Sequence, residues 1–288
     1  MKKGIDELIV SIIGLGVVGG AFAEGLKKIG VGKVYGVDID TQTLIKAKAK
    51  GIIDEGFLNA KIPISNSDIV IISLYPNLLK KFMEENIEFF KEGSIVTDAV
   101  GIKSKIIDEL KPILEKSKNK IDFIFGHPMA GREKRGIDFA DSKVFQNANY
   151  ILINDIENKK ENIDLFEKLI HKLGFKNINF LTKEEHDEII AFTSQLTHAI
   201  AVALMNSDNE KYETNKYIGD SFRDLTRIAK INEDLWSELF LGNKDNLLKM
   251  IEQFEKKLEV IKKALNDEDG EKLKEEFIIS SNRREKIN

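Results

Sequence analysis

Short β-branched runs alternate with stretches of helical periodicity from Leu8 to about Thr182: LIVSII, KVYGVD, DIVIIS, SIVTDA, DFIFG, YILIN and NINFLT. Apolar runs of this kind suit strands buried on both faces. Their alternation with helices predicts βαβ units in a mostly parallel, doubly wound sheet. Beyond Thr182 the strand signal stops. Thr182 followed by Glu185 reads as a capping box, opening a helix predicted to run to about Asn206. Its apolar positions, among them Ile189, Ile190, Phe192, Leu196, Ile200 and Val202, cover nearly every face. Burial against several partners is therefore expected, a second subunit supplying some of them. Two further helical stretches are predicted, around Asp234 to Ala264 and Glu271 to Phe277, and no proline occurs after Pro128. The fold class that follows is α/β: a Rossmann-type doubly wound parallel sheet over residues 1–182, then an all-helical dimerisation domain over 183–288. The two domains are expected to meet near residue 182, with the cleft between them as the natural ligand site.

Composition narrows the chemistry. With 288 residues, 42% of them hydrophobic, the chain can bury a large core. A net charge of −4, from 44 basic and 48 acidic side chains, creates no field that would draw in nucleic acid or an anionic membrane. An anionic substrate must then be held by local cations. The absence of cysteine excludes disulfides, thiolate metal sites and a cysteine nucleophile. The opening MKKGIDELIVSIIG runs into glycines too early for a signal peptide, and no apolar run approaches the roughly 20 residues that span a bilayer. A cytoplasmic protein is expected.

The strand LIVSII leads into Gly14, Leu15, Gly16, Val17, Val18 and Gly19, with a helical pattern immediately after. Glycine at those three positions permits a tight turn, close approach of a pyrophosphate to the backbone, and tight helix–strand packing. Asp38 ends the next strand, 19 residues beyond Gly19, where an acid binds a ribose 2′-hydroxyl and repels a 2′-phosphate. The expected cofactor is NAD rather than NADP. Asp40, two residues on, is read as the cap of the helix beginning near Thr41.

His127 follows the strand IDFIFG, at the carboxyl edge of the sheet where ligands of open α/β folds bind. A histidine there is suited to accept a proton as a hydride leaves the same substrate carbon. His198, inside the apolar helix, is either a core histidine bonded to a backbone group or a residue lining the pocket. His171 and His186 read as solvated helix residues. His186 and His198 are 12 residues apart on one helix, about 18 Å, so they cannot share a metal ion, and no metal is expected. Of only six arginines, four fall in two short segments: Arg132 with Arg135, and Arg223 with Arg227. Arginine's planar fork suits carboxylates. The second pair, with Asp224 between, is either a carboxylate site or a surface salt-bridge cluster.

Five segments in this order resemble the signature of the prephenate and arogenate dehydrogenases: Gly14 to Gly19, TDAVGIK at Thr97 to Lys103, GHPMAGRE at Gly126 to Glu133, SQLTHAIA at Ser194 to Ala201, and FRDLTRIAKINEDLW at Phe222 to Trp236. The resemblance spans nearly the whole chain. It implies a Rossmann domain, a dimerising helical domain, and a homodimer that converts prephenate to 4-hydroxyphenylpyruvate by NAD-dependent oxidative decarboxylation in tyrosine biosynthesis. Arogenate, which would give tyrosine directly, is the alternative substrate. It further implies that His127 takes the proton and Arg227 holds a substrate carboxylate. Arg223, Asp224, Glu133 and His198 would line or gate the pocket, with Trp236 nearby. The family often carries a serine where this chain has Gly101, and that hydroxyl hydrogen-bonds the catalytic histidine. Thr97, Ser73 or water are the expected substitutes. The chain leaves no room for a fused chorismate mutase or a regulatory domain, so tyrosine inhibition would act at the active site. Two rivals remain. One is a β-hydroxyacid dehydrogenase or imine reductase of like architecture, although the former use a lysine in the helical domain. The other is a non-catalytic NAD-binding regulator.

Overall fold

The computed structural model describes residues 4–131, 134–155 and 157–287. The chain begins as an alternating series: β1 (Ile9–Ile13), α1 (Val17–Lys28), β2 (Lys33–Val37), α2 (Thr41–Ala49), β3 (Glu55–Phe57), α3 (Lys61–Asn66), β4 (Ile69–Ile72), α4 (Pro76–Asn86), β5 (Ile95–Asp98), α5 (Ser104–Lys116) and β6 (Asp122–Ile124). The six strands form one sheet in the order β3-β2-β1-β4-β5-β6, every pair parallel. Successive residues of a strand face opposite layers, and they do so here: Val10 and Ile12 of β1 join Phe22 and Leu26 of α1 in one core, while Ile13 joins Leu79 of α4 and Ile106 of α5 in the other. All four residues of β4 are fully buried, each worth about 1.5–3 kcal/mol of burial. The order reverses between β1 and β4, and doubly wound folds bind their ligands outside the carboxyl ends of the strands at such a point.

The sequence pattern predicts one sheet; the structure has two. After β6 the chain passes Phe125 and enters β7 (Gly126–Pro128), which pairs antiparallel with β8 (Asn149–Ile153). Then α6 (Lys160–Leu173) leads to β9 (Asn177–Leu181), parallel to β8. Gly126 makes the departure possible, because a Cβ there would sit 2.7 Å from the Tyr150 hydroxyl. Pro128 is tolerated because β7 is an edge strand, where a missing N–H need not break a ladder. His127 therefore lies in a short strand of the second sheet, opposite Ile151, rather than in a turn at the edge of the first.

The capping box forms as expected: Thr182 Oγ1 accepts from the Glu185 N–H and the Glu185 carboxylate accepts from the Thr182 N–H. It opens α7 (Lys183–Asn206), a 24-residue helix whose segment Ala191–Gln195 is π-helical. By length and hydropathy α7 could cross a bilayer, contrary to the expectation that no stretch would. It carries fully buried polar groups at His186, Asp187 and Gln195, which a lipid-facing helix would not. Then come α8 (Asp220–Thr226) and α9 (Glu233–Gly242). The segment expected to be one helix from 234 to 264 breaks at Asn243, whose buried side chain bonds back to the chain instead. All of this belongs to one compact unit, Met1–Asn243. The second unit, Lys244–Asn288, is built from α10 (Lys244–Asn266) and α11 (Gly270–Glu285), which pack on each other.

Candidate active site

The glycine loop has the backbone that a dinucleotide requires. Gly14 takes φ +85°, and a Cβ on it would meet the Ser73 carbonyl at 2.5 Å. A Cβ on Gly19 would collide with the Gly14 carbonyl at 1.9 Å, so α1 can pack this closely on β1 only with glycine there. Gly16 differs: a Cβ there would meet nothing within 4 Å. It is the N-cap of α1, no side chain caps that helix, and the space beside it adjoins the first N–H groups. These features fit a pyrophosphate at a helix N-terminus. Asp38 is oriented toward the loop, its carboxylate accepting from Leu15 N–H at 2.9 Å and Asp40 N–H at 2.9 Å. A carboxylate offers about four lone-pair directions, so capacity remains for a ribose diol. Asp40 caps α2 through the N–H groups of Gln42 and Thr43, as the sequence suggests.

The second cluster forms where β5, β7 and the start of α7 converge. His127 Nδ1 lies 2.9 Å from His186 Nε2, and His186 Nδ1 lies 2.8 Å from Asp187 Oδ1. Asp187 is fixed in turn by the N–H groups of Lys103 and Ser104, each at 2.8 Å. The Lys103 ammonium, fully buried, pairs with the Asp98 carboxylate at the end of β5. Asp98 also accepts from Val100 N–H at 2.9 Å and more weakly from Gly126 N–H at 3.4 Å. Burial, then the nearness of His186 and the Lys103 cation, holds the His127 imidazole well below the usual histidine range. Burial likewise lowers His186, outweighing the neighbouring Asp187. Asp187 is pushed upward by burial, but its bonds to His186 and Ser104 prevail and keep it below the ordinary carboxylate range. Lys103 is lowered by burial, with Asp98 opposing. Gly101 lies against the free edge of His127: a Cβ there would be 3.5 Å from Nε2.

His198 Nδ1–H donates to the Ser194 carbonyl at 2.9 Å, and its ring stacks on Trp236 at 3.6 Å. Asn232 links this region to the start of α4, donating to the Tyr75 hydroxyl at 2.8 Å. The π segment sets the register of α7. At 3.6 residues per turn, 12 positions would leave His186 and His198 about 120° apart around the axis. A π turn absorbs about one residue, which brings them to within about 20°. The Asn243 amide secures it by donating to the Asp187 carbonyl at 2.8 Å and to Gln195 Oε1 at 2.9 Å.

The chain matches the model of the prephenate dehydrogenase nucleotide-binding domain over residues 22–179 and that of the prephenate dehydrogenase dimerization domain over residues 182–278. It belongs to the prephenate dehydrogenase family. It is 31% identical over 274 residues to the prephenate dehydrogenase of Lactococcus lactis subsp. cremoris, spanning 93% of this chain and 74% of that one. Against the prephenate dehydrogenase of Bacillus subtilis the identity is 29% over 281 residues, 95% and 74% of the two chains. A crystal structure of the Aquifex aeolicus prephenate dehydrogenase in complex with hydroxyphenyl propionate and NAD+ superposes with a TM-score of 0.86 at 32% identity, over 97% of this chain and 98% of that one.

In this member of the family several residues sit otherwise than the sequence suggests. His186, expected in solvent, is fully buried and touches His127. It takes up the Nδ1 side of His127, while Gly101, the position of the family's serine, faces Nε2. The signal was present: His186, Asp187, Ile190 and Ala191 form one buried i, i+3, i+4 stripe, in which polar residue types mask an inward face. Asp98 and Lys103 also escape sequence reasoning, because an acid and a lysine five apart around a strand end read as surface charges. Arg223 is exposed and bonds to Asp220 at 2.9 Å; Asp224 is exposed as well. Arg227 does not continue α8 but opens the 3-10 turn Arg227–Ala229, which packs on α7. Arg135 bonds to Asn232 and Glu233. Glu133 and Arg132 lie outside the described residues.

Proposed function

We propose that this chain is an NAD-dependent prephenate dehydrogenase, catalysing oxidative decarboxylation of prephenate to 4-hydroxyphenylpyruvate with His127 as the general base. The observation that carries this reading is His127 itself, a neutral imidazole held by a buried partner, with its Nε2 edge facing a glycine. When bound, NAD supplies the hydride acceptor, and oxidation of the ring hydroxyl lets the ring carboxylate depart as carbon dioxide and the ring aromatise. Gly14, Gly16, Gly19 and the N-terminus of α1 would hold the pyrophosphate, and Asp38 would accept from the adenosine ribose. His127 Nε2 takes the hydroxyl proton, and Gly101 leaves room for that hydroxyl beside it. Arg227 holds a substrate carboxylate, with Arg223, Asp224, Glu133 and His198 lining the pocket. The division between nucleotide-binding and dimerisation domains falls at residues 182/183, close to where the first family match ends at 179 and the second begins at 182, and inside the compact unit Met1–Asn243.

Purified protein given prephenate is expected to reduce NAD and to use NADP poorly, because Asp38 repels a 2′-phosphate; equal use of the two cofactors would remove Asp38 from that role. The test of the substrate anchor is Arg227→Ala. Losing a charged hydrogen bond to a carboxylate costs about 1.5–3 kcal/mol, so KM for prephenate should rise roughly ten- to a hundredfold while NAD affinity holds. Lysine at 227 should rescue only part, since it lacks the bidentate fork. An unchanged KM would move the anchor elsewhere.

A homodimer accords with this assignment and with a cytoplasmic enzyme. Ile189, Phe192 and Met205 of α7 remain 40–57% exposed in the single chain, and a second copy would cover them. A single-chain mass of 32.6 kDa by light scattering would exclude it.

A further inference from the structure

We propose that His186 and Asp187 are positioning residues that fix His127 in the Nδ1–H tautomer and so make Nε2, the atom that faces Gly101, the proton acceptor. This rests on the reading of His127 as the base.

The assignment follows from the direction of each hydrogen bond. The Lys103 and Ser104 N–H groups can only donate, so both Asp187 oxygens are acceptors. Asp187 Oδ1 is also 2.8 Å from His186 Nδ1, which must then carry a proton. His186 is fully buried, and a second proton would place an imidazolium in the interior beside the Lys103 cation. Its Nε2 therefore bears a lone pair. That lone pair faces His127 Nδ1 at 2.9 Å, so His127 must donate there. A neutral His127 with its proton on Nδ1 has its lone pair on Nε2, the atom beside Gly101. Free imidazole side chains prefer the other tautomer, so the protein must hold this one.

The direction is enforced from a rigid base. Asp187 is bound through its carboxylate to the loop after β5 and through its carbonyl to Asn243. Asn243 in turn holds Gln195 in the π segment. As His127 accepts a proton, the imidazolium that forms keeps its Nδ1–H bonded to His186 and is stabilised by the Asp187 carboxylate, one imidazole away. The arrangement does the work of the acid in a Ser-His-Asp triad, with a second histidine interposed.

The test reads the tautomer directly. In protein labelled with 15N-histidine, long-range proton–nitrogen spectra distinguish protonated from unprotonated ring nitrogens, and the signals of His127 are those lost in His127→Asn. Above neutral pH, His127 is expected to show a protonated Nδ1 and an unprotonated Nε2; a protonated Nε2 overturns the proposal. His186→Phe, which offers no acceptor, should shift His127 toward the Nε2–H form. It should lower kcat at least about tenfold, toward the roughly 10⁴-fold loss of a catalytic histidine in the wrong tautomer, with both KM values nearly unchanged. His186→Gln, whose Oε1 reaches the place of Nε2, should restore part. A folded Phe variant with full kcat also overturns the proposal. Where that variant does not fold, the spectrum of the unaltered protein decides alone. Failure to turn over prephenate with NAD would strike the functional reading and leave the tautomer measurement standing.

Discussion

His127→Asn is expected to keep its fold and its NAD affinity and to lose roughly 10²–10⁴-fold in turnover, the usual contribution of a positioned general base. Asparagine can still hydrogen-bond toward His186, so the buried network need not collapse, but it cannot accept the proton. The pH profile of the unaltered enzyme is a companion result. The base must be neutral to act, and burial together with His186 and Lys103 depresses its proton affinity below the 6.5 of a free imidazole. Turnover should therefore hold level through neutrality and fall only as the pH drops through that depressed value, well under 6.5. Near-normal turnover in the Asn variant would take His127 out of the mechanism. An acid limb centred at or above 6.5 would contradict the electrostatics described for the site.

What could be read from the chain, and what could not, divides by the range of the interactions involved. The glycine loop was legible because each glycine answers a local demand: a positive φ at Gly14, a carbonyl in the way at Gly19, open space at Gly16. Asp40 and Thr182 were legible for the same reason, since a cap acts within three residues. β7 was not. A three-residue strand containing proline reads as a turn, and only Tyr150, far along the chain, shows why Gly126 must be there. His186 was hidden by a different mechanism. A polar residue faces inward only when a distant partner is waiting for it, and that partner, His127, lies 59 positions away. The π segment leaves no mark in a periodicity computed at 3.6 residues per turn, yet it decides which residues of α7 share a face.

Lys103→Met should be the most destabilising single change in the neighbourhood of the site. Both members of the Lys103–Asp98 pair are fully buried, so removing the cation leaves a carboxylate in the interior that, among the described residues, keeps the N–H groups of Val100 and Gly126 for support. Breaking a buried pair from one side costs about 3–5 kcal/mol, which for a chain of this size lowers Tm on the order of 10 °C. Replacing both partners, Asp98→Asn with Lys103→Met, removes the orphaned charge and should recover much of that loss, because the desolvation of two ions disappears with their attraction. The backbone N–H of residue 103 still reaches Asp187 in every variant, so the anchor of the histidine pair remains. Catalysis then reports separately on charge. Lys103 is one of the groups that depress the proton affinity of His127, so the double variant should shift the acid limb of turnover toward higher pH, nearer 6.5. Full Tm in the single variant would mean that Asp98 is satisfied without its lysine. An acid limb that stays in place in the stable double variant would mean that burial and His186 alone set the basicity of His127.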